Sequence, residues 1–267
     1  MGLISSIDLG SPMQIPTENK GQSVISKNQD GGEKSHGGMT ALVFVGLILP
    51  TAVTLVYFSL LRESHPAIQQ TAYAVGKGLQ FALPILAYVW FRPRVHEATE
   101  WGKSAGMGVL LGITIAGAML ALYCFALEPW GVMEGPRVQA TEKLAETGLS
   151  SLPVFLGVAI FYSIIHSALE EYYWRWFVLR LALERWSVPV AIALSSLGFM
   201  AHHVIVLQRF FGTVSPWTYL FSLSVAVGGG LWGMLYVRYR TLLGPWLSHM
   251  WVDAAIFLLA YWLVFQS

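Results

Sequence analysis

Residues 152–183 read LPVFLGVAIFYSIIHSALEEYYWRWFVLRLAL. The stretch is mostly apolar and exceeds the roughly 20 residues that a helix needs to cross a bilayer, so it predicts a membrane-spanning helix. Two adjacent glutamates, Glu170 and Glu171, interrupt it, and Arg175 follows one turn later. An ionised carboxylate at the bilayer centre costs about 2.5–3.5 kcal/mol on insertion scales. A chain keeps such residues for chemistry, for transport or for a structural ion pair.

The whole chain has the composition of a polytopic membrane protein. Of its 267 residues, 55% are hydrophobic and only 12% are charged, and the mean hydropathy is +0.57. Soluble domains carry about twice that charged fraction. The formal net charge of +1 gives no basic field of the kind that binds nucleic acid. The single cysteine, Cys124, excludes an intramolecular disulfide and a cysteine-based zinc site.

Seven apolar segments predict an all-α, polytopic transmembrane helical bundle. Their alternation is too weak for transmembrane β-strands, and helices are the other way to satisfy every backbone group in lipid. An eighth span or a re-entrant segment is the alternative to seven. The predicted segments are Met39–Leu61, Gln70–Phe91, Gly106–Leu127, Leu152–Leu179, Val188–Leu207, Trp217–Val237 and Leu242–Phe265.

Charge and composition predict the orientation and the domain boundary. Most lysines and arginines outside the spans lie on the side of the N-terminal tail, which places the N-terminus in the cytoplasm and the C-terminus outside. Residues 1–38 are polar and glycine-rich, and we predict a disordered cytoplasmic tail there, with no cleaved signal peptide. Residues 39–267 form the predicted transmembrane domain, and residues 155–265 contain the motifs described next.

Helical spacing divides the charged residues of the fourth segment into two pairs. Residues four apart lie on one stripe of a helix, so Glu171 faces Arg175 and Glu170 faces His166. We predict that Arg175 neutralises and orients Glu171, whereas Glu170 is free to act on a proton. A structural ion pair accounts for Glu171 and Arg175 equally well. His166 is interpreted as a hydrogen-bonded packing residue.

Two other segments contain histidines with a companion at helical spacing. In the fifth, Phe199 and His203 share a face, while His202 points about 100° away from His203. In the seventh, His249 and Asp253 are four residues apart and face the same side. We predict chemistry for His203 and His249, an orienting or hydrogen-bonding role for Asp253, and packing for Phe199 and His202.

Three short motifs, in this order, carry a resemblance to a known family. EEYYWR at 170–175 fits the pattern EExxxR, FMAHH at 199–203 fits FxxxH, and HMWVD at 249–253 fits HxxxN/D. Together they resemble the CAAX protease and bacteriocin-processing family of intramembrane glutamic endopeptidases, which includes the Ras-converting enzymes and many bacterial Abi membrane proteins. Each motif alone is a weak signal, whereas three in order on predicted spans are specific. The resemblance covers roughly Phe155 to Phe265.

The resemblance implies a role for each motif residue. Glu170 would activate water together with His203, and His249 with Asp253 would form the oxyanion site. Supporting roles fall to Glu171, Arg175 and Phe199. Asp253 stands where the eukaryotic enzymes have asparagine. An ionised aspartate would repel an oxyanion, so Asp253 must be protonated or must act by orienting His249.

The sequence therefore predicts an intramembrane endopeptidase that cuts near the C-terminus or membrane anchor of a membrane-associated protein or peptide. The resemblance implies no cofactor and no metal, and it favours the inner membrane of a bacterial cell. A zinc protease using Glu170, His203 and His249 is one alternative, although the HExxH spacing is absent. Acids, histidines and Lys77 in separate spans also describe a proton-coupled transporter, without the internal repeats typical of one. A non-catalytic scaffold or immunity protein is the remaining alternative.

Overall fold

The computed structural model describes residues 20–91, 100–146 and 151–266 of the chain. Within these ranges the chain is helical, without strands, and seven helices are long and apolar enough to cross a membrane. The predicted all-α bundle of seven spans is therefore confirmed. The spans are Gly37–Leu60, Pro66–Trp90, Trp101–Leu127, Leu152–Leu183, Val188–Phe211, Pro216–Tyr239 and Leu243–Phe265.

In the described part of the chain, ten α-helices and four π-helical segments build these spans and one connection. The α-helices are α1 Lys20–Leu55, α2 Pro66–Phe91, α3 Trp101–Leu122, α4 Glu134–Glu146, α5 Leu152–Ile160, α6 Ser167–Glu171, α7 Arg180–Leu183, α8 Val188–Phe211, α9 Pro216–Tyr239 and α10 Leu243–Phe265. The π-helical segments are Val56–Leu60, Tyr123–Leu127, Phe161–His166 and Tyr172–Leu179.

The N-terminal part of the chain is divided from the rest at Gly38. The described residues up to Gly38 form one unit, and those from Met39 onward form another. Residues 1–19 of the predicted disordered tail lie outside the described residues, and α1 begins at Lys20. Disorder of the tail and a cytoplasmic N-terminus stay predictions.

The fourth span, Leu152–Leu183, is not a regular α-helix. The short α6 contains both glutamates, and a π-helical segment precedes it and another follows it. Insertions of π-helix widen the helical turn and occur frequently at functional sites. We call this composite span the glutamate span.

Small residues bring α3 and α10 into close contact. Ser104, Gly108 and Gly112 are buried at intervals of four along α3, where they face α10. The Ser104 hydroxyl accepts a hydrogen bond of 3.2 Å from the backbone N–H of Gly244. A Cβ added to Gly112 would lie 2.9 Å from the Cα of Ser248. Such stripes let membrane helices approach closely, and here they fix α10, which contains two motif residues.

The main core lies between the glutamate span, α8 and α9. Trp174, Phe199 and Trp232 are among its fully or nearly fully buried side chains. The Ser195 hydroxyl of α8 donates to the Trp174 carbonyl at 3.0 Å, and the Tyr173 hydroxyl donates to the Gly46 carbonyl at 2.8 Å. These bonds satisfy polar groups that lipid could not solvate.

The connection between the third and fourth spans contains a helix that the sequence analysis missed. The predicted third and fourth spans leave residues 128–151 as a connection without a predicted helix, but it includes α4, which packs against α8 and α10. Arg137 of α4 pairs with Glu128 at 2.5 Å. The helix is polar on most sides and lacks the apolar stripe by which a sequence pattern is recognised, so its stability comes from these contacts.

Candidate active site

Glu170 lies buried among three imidazole rings. Its Oε1 is 3.6 Å from Nε2 of His202 and 3.9 Å from Nε2 of His166, and its Oε2 is 3.7 Å from Nε2 of His249. These separations exceed the usual length of a hydrogen bond. Within the described residues no arginine pairs with this carboxylate, so Glu170 is surrounded by proton-carrying groups without being tied to one.

Glu171 is held in place from two sides. Its Oε1 lies 3.0 Å from Nη1 of Arg175 and 2.8 Å from Nδ1 of His249, and all three side chains are almost fully buried. Arg175 also donates through Nη2 to the Gly229 carbonyl at 3.1 Å. The structure thus brings Glu171 and Arg175 together as the helical spacing predicts.

Arg175 is enclosed by aromatic rings in addition to its polar partners. Its guanidinium carbon is 5.1 Å from the ring centre of Phe199 and 5.2 Å from that of Trp232. Cation–π contacts of this kind gain strength when water is excluded. Arg175 therefore joins the glutamate span, α8 and α9 at one point.

His249 has a fixed ring orientation. Because a carboxylate can only accept, the 2.8 Å contact to Glu171 requires a hydrogen on Nδ1. Nε2 then faces Oε2 of Glu170 and also Oδ1 of Asp253 at 3.5 Å. The ring stacks on Trp232, with centres 4.2 Å apart and planes 16° apart. The structure therefore places Asp253 beside His249, as helical spacing predicts.

The two adjacent histidines of α8 lie in different surroundings. His202, interpreted from sequence as a packing residue, is buried and contacts Glu170, while its ring lies parallel to that of Trp174. His203, predicted for chemistry, forms a 2.8 Å contact from Nδ1 to the Phe199 carbonyl and is less buried. With a hydrogen on Nδ1, its Nε2 is left as an acceptor. Phe199 packs against both rings.

Three groups near the glutamates were not assigned to the site from sequence. His202 and His166 approach Glu170, and Trp232 stacks on His249. The spacing of His166 to Glu170 was visible in the sequence, whereas the Trp232 contact joins two different helices and leaves no local pattern. Among the described residues, no set of three His, Cys, Asp or Glu side chains is arranged to hold a metal ion, which gives the zinc alternative no support.

A cavity opens near one end of the bundle, away from the glutamates. Its volume is about 720 Å³, and its walls include three tryptophans and two arginines. It reaches Ala168, two residues before Glu170. The wall residues include Trp101, Ala168, Trp176, Arg180, Arg240 and Trp246.

Comparison with known proteins adds one match. The model of the family described as Rce1-like, type II CAAX prenyl endopeptidase Rce1-like, matches residues 152–255. This range includes all three motifs, from Glu170 to Asp253. The predicted resemblance to the CAAX protease family is confirmed there, and with seven spans it indicates a multi-pass membrane peptidase in general. No curated protein and no solved structure matches the chain.

Proposed function

We propose that this chain is an intramembrane glutamic endopeptidase that hydrolyses a peptide bond near the C-terminus or membrane anchor of a membrane-associated protein. The observation that carries the proposal is the unequal environment of the two glutamates. Glu171 is bound by Arg175, while Glu170 is buried beside imidazoles with no guanidinium partner among the described residues. A carboxylate in that position is available to accept a proton.

In the proposed reaction Glu170 is the general base. It takes a proton from a water molecule as the water oxygen attacks the carbonyl carbon of the scissile bond. The carbonyl electrons move to the oxygen and form a tetrahedral oxyanion. When these electrons return, the C–N bond breaks and the proton passes from Glu170 to the leaving nitrogen. The products are a new carboxyl terminus and a new amino terminus, and no covalent enzyme intermediate is needed.

His249 is the proposed donor to the oxyanion. Glu171 fixes its Nδ1, so Nε2 projects toward Glu170 and the space where the reacting carbonyl would lie. A ring with hydrogens on both nitrogens could donate to Glu171 and to the oxyanion at once. Asp253 faces the same Nε2, which suits an orienting role for this residue. Arg175 keeps Glu171 in position and so acts through His249.

A histidine beside Glu170 would hold the attacking water. The motif assigns this role to His203, whereas the shortest contact on α8 is from His202 at 3.6 Å. Both rings flank Phe199, and His203 retains an acceptor nitrogen for a water hydrogen. The role of His203 stays a prediction.

The decisive experiment maps the C-termini of membrane proteins in cells with the wild-type chain or with Glu170→Gln. New termini should appear only with the wild type. Glu63→Gln is the control, because Glu63 is an exposed carboxylate whose ion pair in the described residues is a 3.8 Å contact with Arg62. If no terminus differs between wild type and Glu170→Gln, the peptidase proposal fails. A cellular function that survives Glu170→Gln would favour a non-catalytic scaffold instead.

Metal analysis of the purified protein separates this mechanism from the zinc alternative. We expect cleavage to persist in chelator. Stoichiometric zinc that is lost together with activity would overturn the metal-free mechanism.

A further inference from the structure

Lys77 of α2 faces the glutamate span. Its Nζ lies 5.7 Å from the ring centres of both Tyr73 and Phe81, which are one turn before and one turn after it on the same helix face. Phe81 packs edge-on against Tyr173 of the glutamate span. The ammonium therefore lies on the face of α2 that contacts this span.

Within residues 20–91, 100–146 and 151–266 this ammonium forms neither an ion pair nor a hydrogen bond, and it lies against two aromatic rings. Contacts with aromatic rings stabilise an ammonium by less than the cost of placing a lysine at bilayer depth. A charged group kept at this cost is expected to meet an anion during function.

Lys77 and the proposed base belong to helices that contact each other through Phe81 and Tyr173, and they lie at a similar depth. Counted from the ends of their spans on one side of the membrane, both lie about 20 Å deep at 1.5 Å per residue. A substrate whose peptide bond is at Glu170 would therefore have neighbouring groups at Lys77.

An apolar groove lies between α2 and the glutamate span. Its volume is about 700 Å³, and it is lined by Phe81, Ile85, Tyr88, Leu169, Tyr172 and Trp176. Phe81 is one turn from Lys77, and Leu169 is the residue before Glu170. The groove suits the apolar residues of an extended peptide whose charged end reaches Lys77.

We propose that Lys77 binds the free C-terminal carboxylate of the peptide substrate and so selects for cleavage near a chain end. The inference rests on the proposed peptidase function. A terminal carboxylate carried to this depth needs a cation, and a lysine ammonium is a suitable point charge for it. Lys77 is a specificity residue in this scheme, whereas Glu170 performs the chemistry.

The test compares two peptides that differ only at the terminus. Both have the sequence of a C-terminal segment found by the terminus mapping, without acidic side chains; one ends in a carboxylate and the other in an amide. The wild-type protein should cleave the acid with a kcat/KM at least about tenfold higher, since a hydrogen bond to a charged group contributes about 1.5–3 kcal/mol. Lys77→Met should remove this preference through the KM of the acid, and Lys77→Arg should keep it.

Controls separate Lys77 from general effects. Lys103→Met should leave the preference unchanged, because Lys103 is an exposed lysine already paired with Glu100 at 2.6 Å. A preference for the acid that persists in Lys77→Met would overturn the inference. An equal loss of kcat/KM on both peptides would also overturn it, because Lys77 would then support the fold or the chemistry of Glu170. If the wild type cleaves both peptides equally, only the role of Lys77 fails. If it cleaves neither, the peptidase proposal itself fails.

Discussion

Replacing Glu171 with glutamine should destabilise the protein far more than the same change at Glu170. Arg175 is 1% exposed and Glu171 is fully buried, with their charged atoms 3.0 Å apart. Removing one partner of a buried ion pair costs about 3–5 kcal/mol, because the other charge stays buried without compensation. Glu171→Gln also weakens the 2.8 Å contact that orients His249.

Glu170→Gln is the matched substitution one residue away. Its carboxylate has no guanidinium partner in the described structure, and the nearest imidazole nitrogens are at 3.6–3.9 Å. We expect a stability change of about 1 kcal/mol or less. Cleavage should nevertheless fall by a factor of about 10²–10⁴, since the proposed general base is lost.

Thermal unfolding in one detergent, followed beside peptide cleavage, measures both effects. A loss of 3–5 kcal/mol corresponds to a melting temperature lower by about 6–20 °C for a chain of this size. In the double variant Glu171→Gln with Arg175→Met, much of the lost stability should return, because no unpaired charge remains. Equal melting temperatures for Glu170→Gln and Glu171→Gln would refute the division of labour between the glutamates. A double variant no more stable than the additive sum would refute the ion-pair explanation.

Three further pairs of substitutions test the histidines, the helix packing and the stacked tryptophan around the glutamates. If contact with Glu170 decides which histidine holds the attacking water, His202→Ala should lower kcat more than His203→Ala. The reverse order would support His203, the histidine of the FxxxH motif. Gly112→Ala should lower the free energy of unfolding by about 1–3 kcal/mol, because the added Cβ would lie 2.9 Å from atoms of α10 and push α3 away from it. Gly117→Ala is the control and should be neutral, because a Cβ there meets nothing within 4 Å. Equal melting temperatures for the two variants would contradict this packing. Trp232→Ala should lower both the melting temperature and kcat, because it removes the ring that stacks on His249, while Trp232→Phe should retain more of both. A kcat of Trp232→Ala equal to that of the wild type would argue against a positioning role for Trp232.

Much of the fold could be predicted from the sequence because lipid leaves few alternatives. Long apolar segments must be helices there, so composition alone predicts seven spans. Pairs four residues apart, such as Glu171 with Arg175, also follow from helix geometry. The polar helix α4 could not be predicted this way, since neither its length nor its pattern distinguishes it from a loop. The π-helical segments beside α6 were likewise invisible, because they arise from packing between helices.

The adjacent histidines His202 and His203 show what sequence periodicity cannot predict, namely which side of a helix faces a given neighbour. At 100° per residue, His202 and His203 lie on opposite sides of Phe199, each within about 60° of its direction. A helix wheel therefore places both at the same cavity and cannot say which side of α8 meets the glutamate span. That choice depends on how α8 is rotated against its neighbours, which is fixed by contacts between distant residues. One such contact is the 3.0 Å hydrogen bond from the hydroxyl of Ser195 to the carbonyl of Trp174. The same reasoning applies to His249 and Glu171, which meet at 2.8 Å although 78 residues separate them. A local motif can propose the members of a site, but the partner of each member depends on helix rotation.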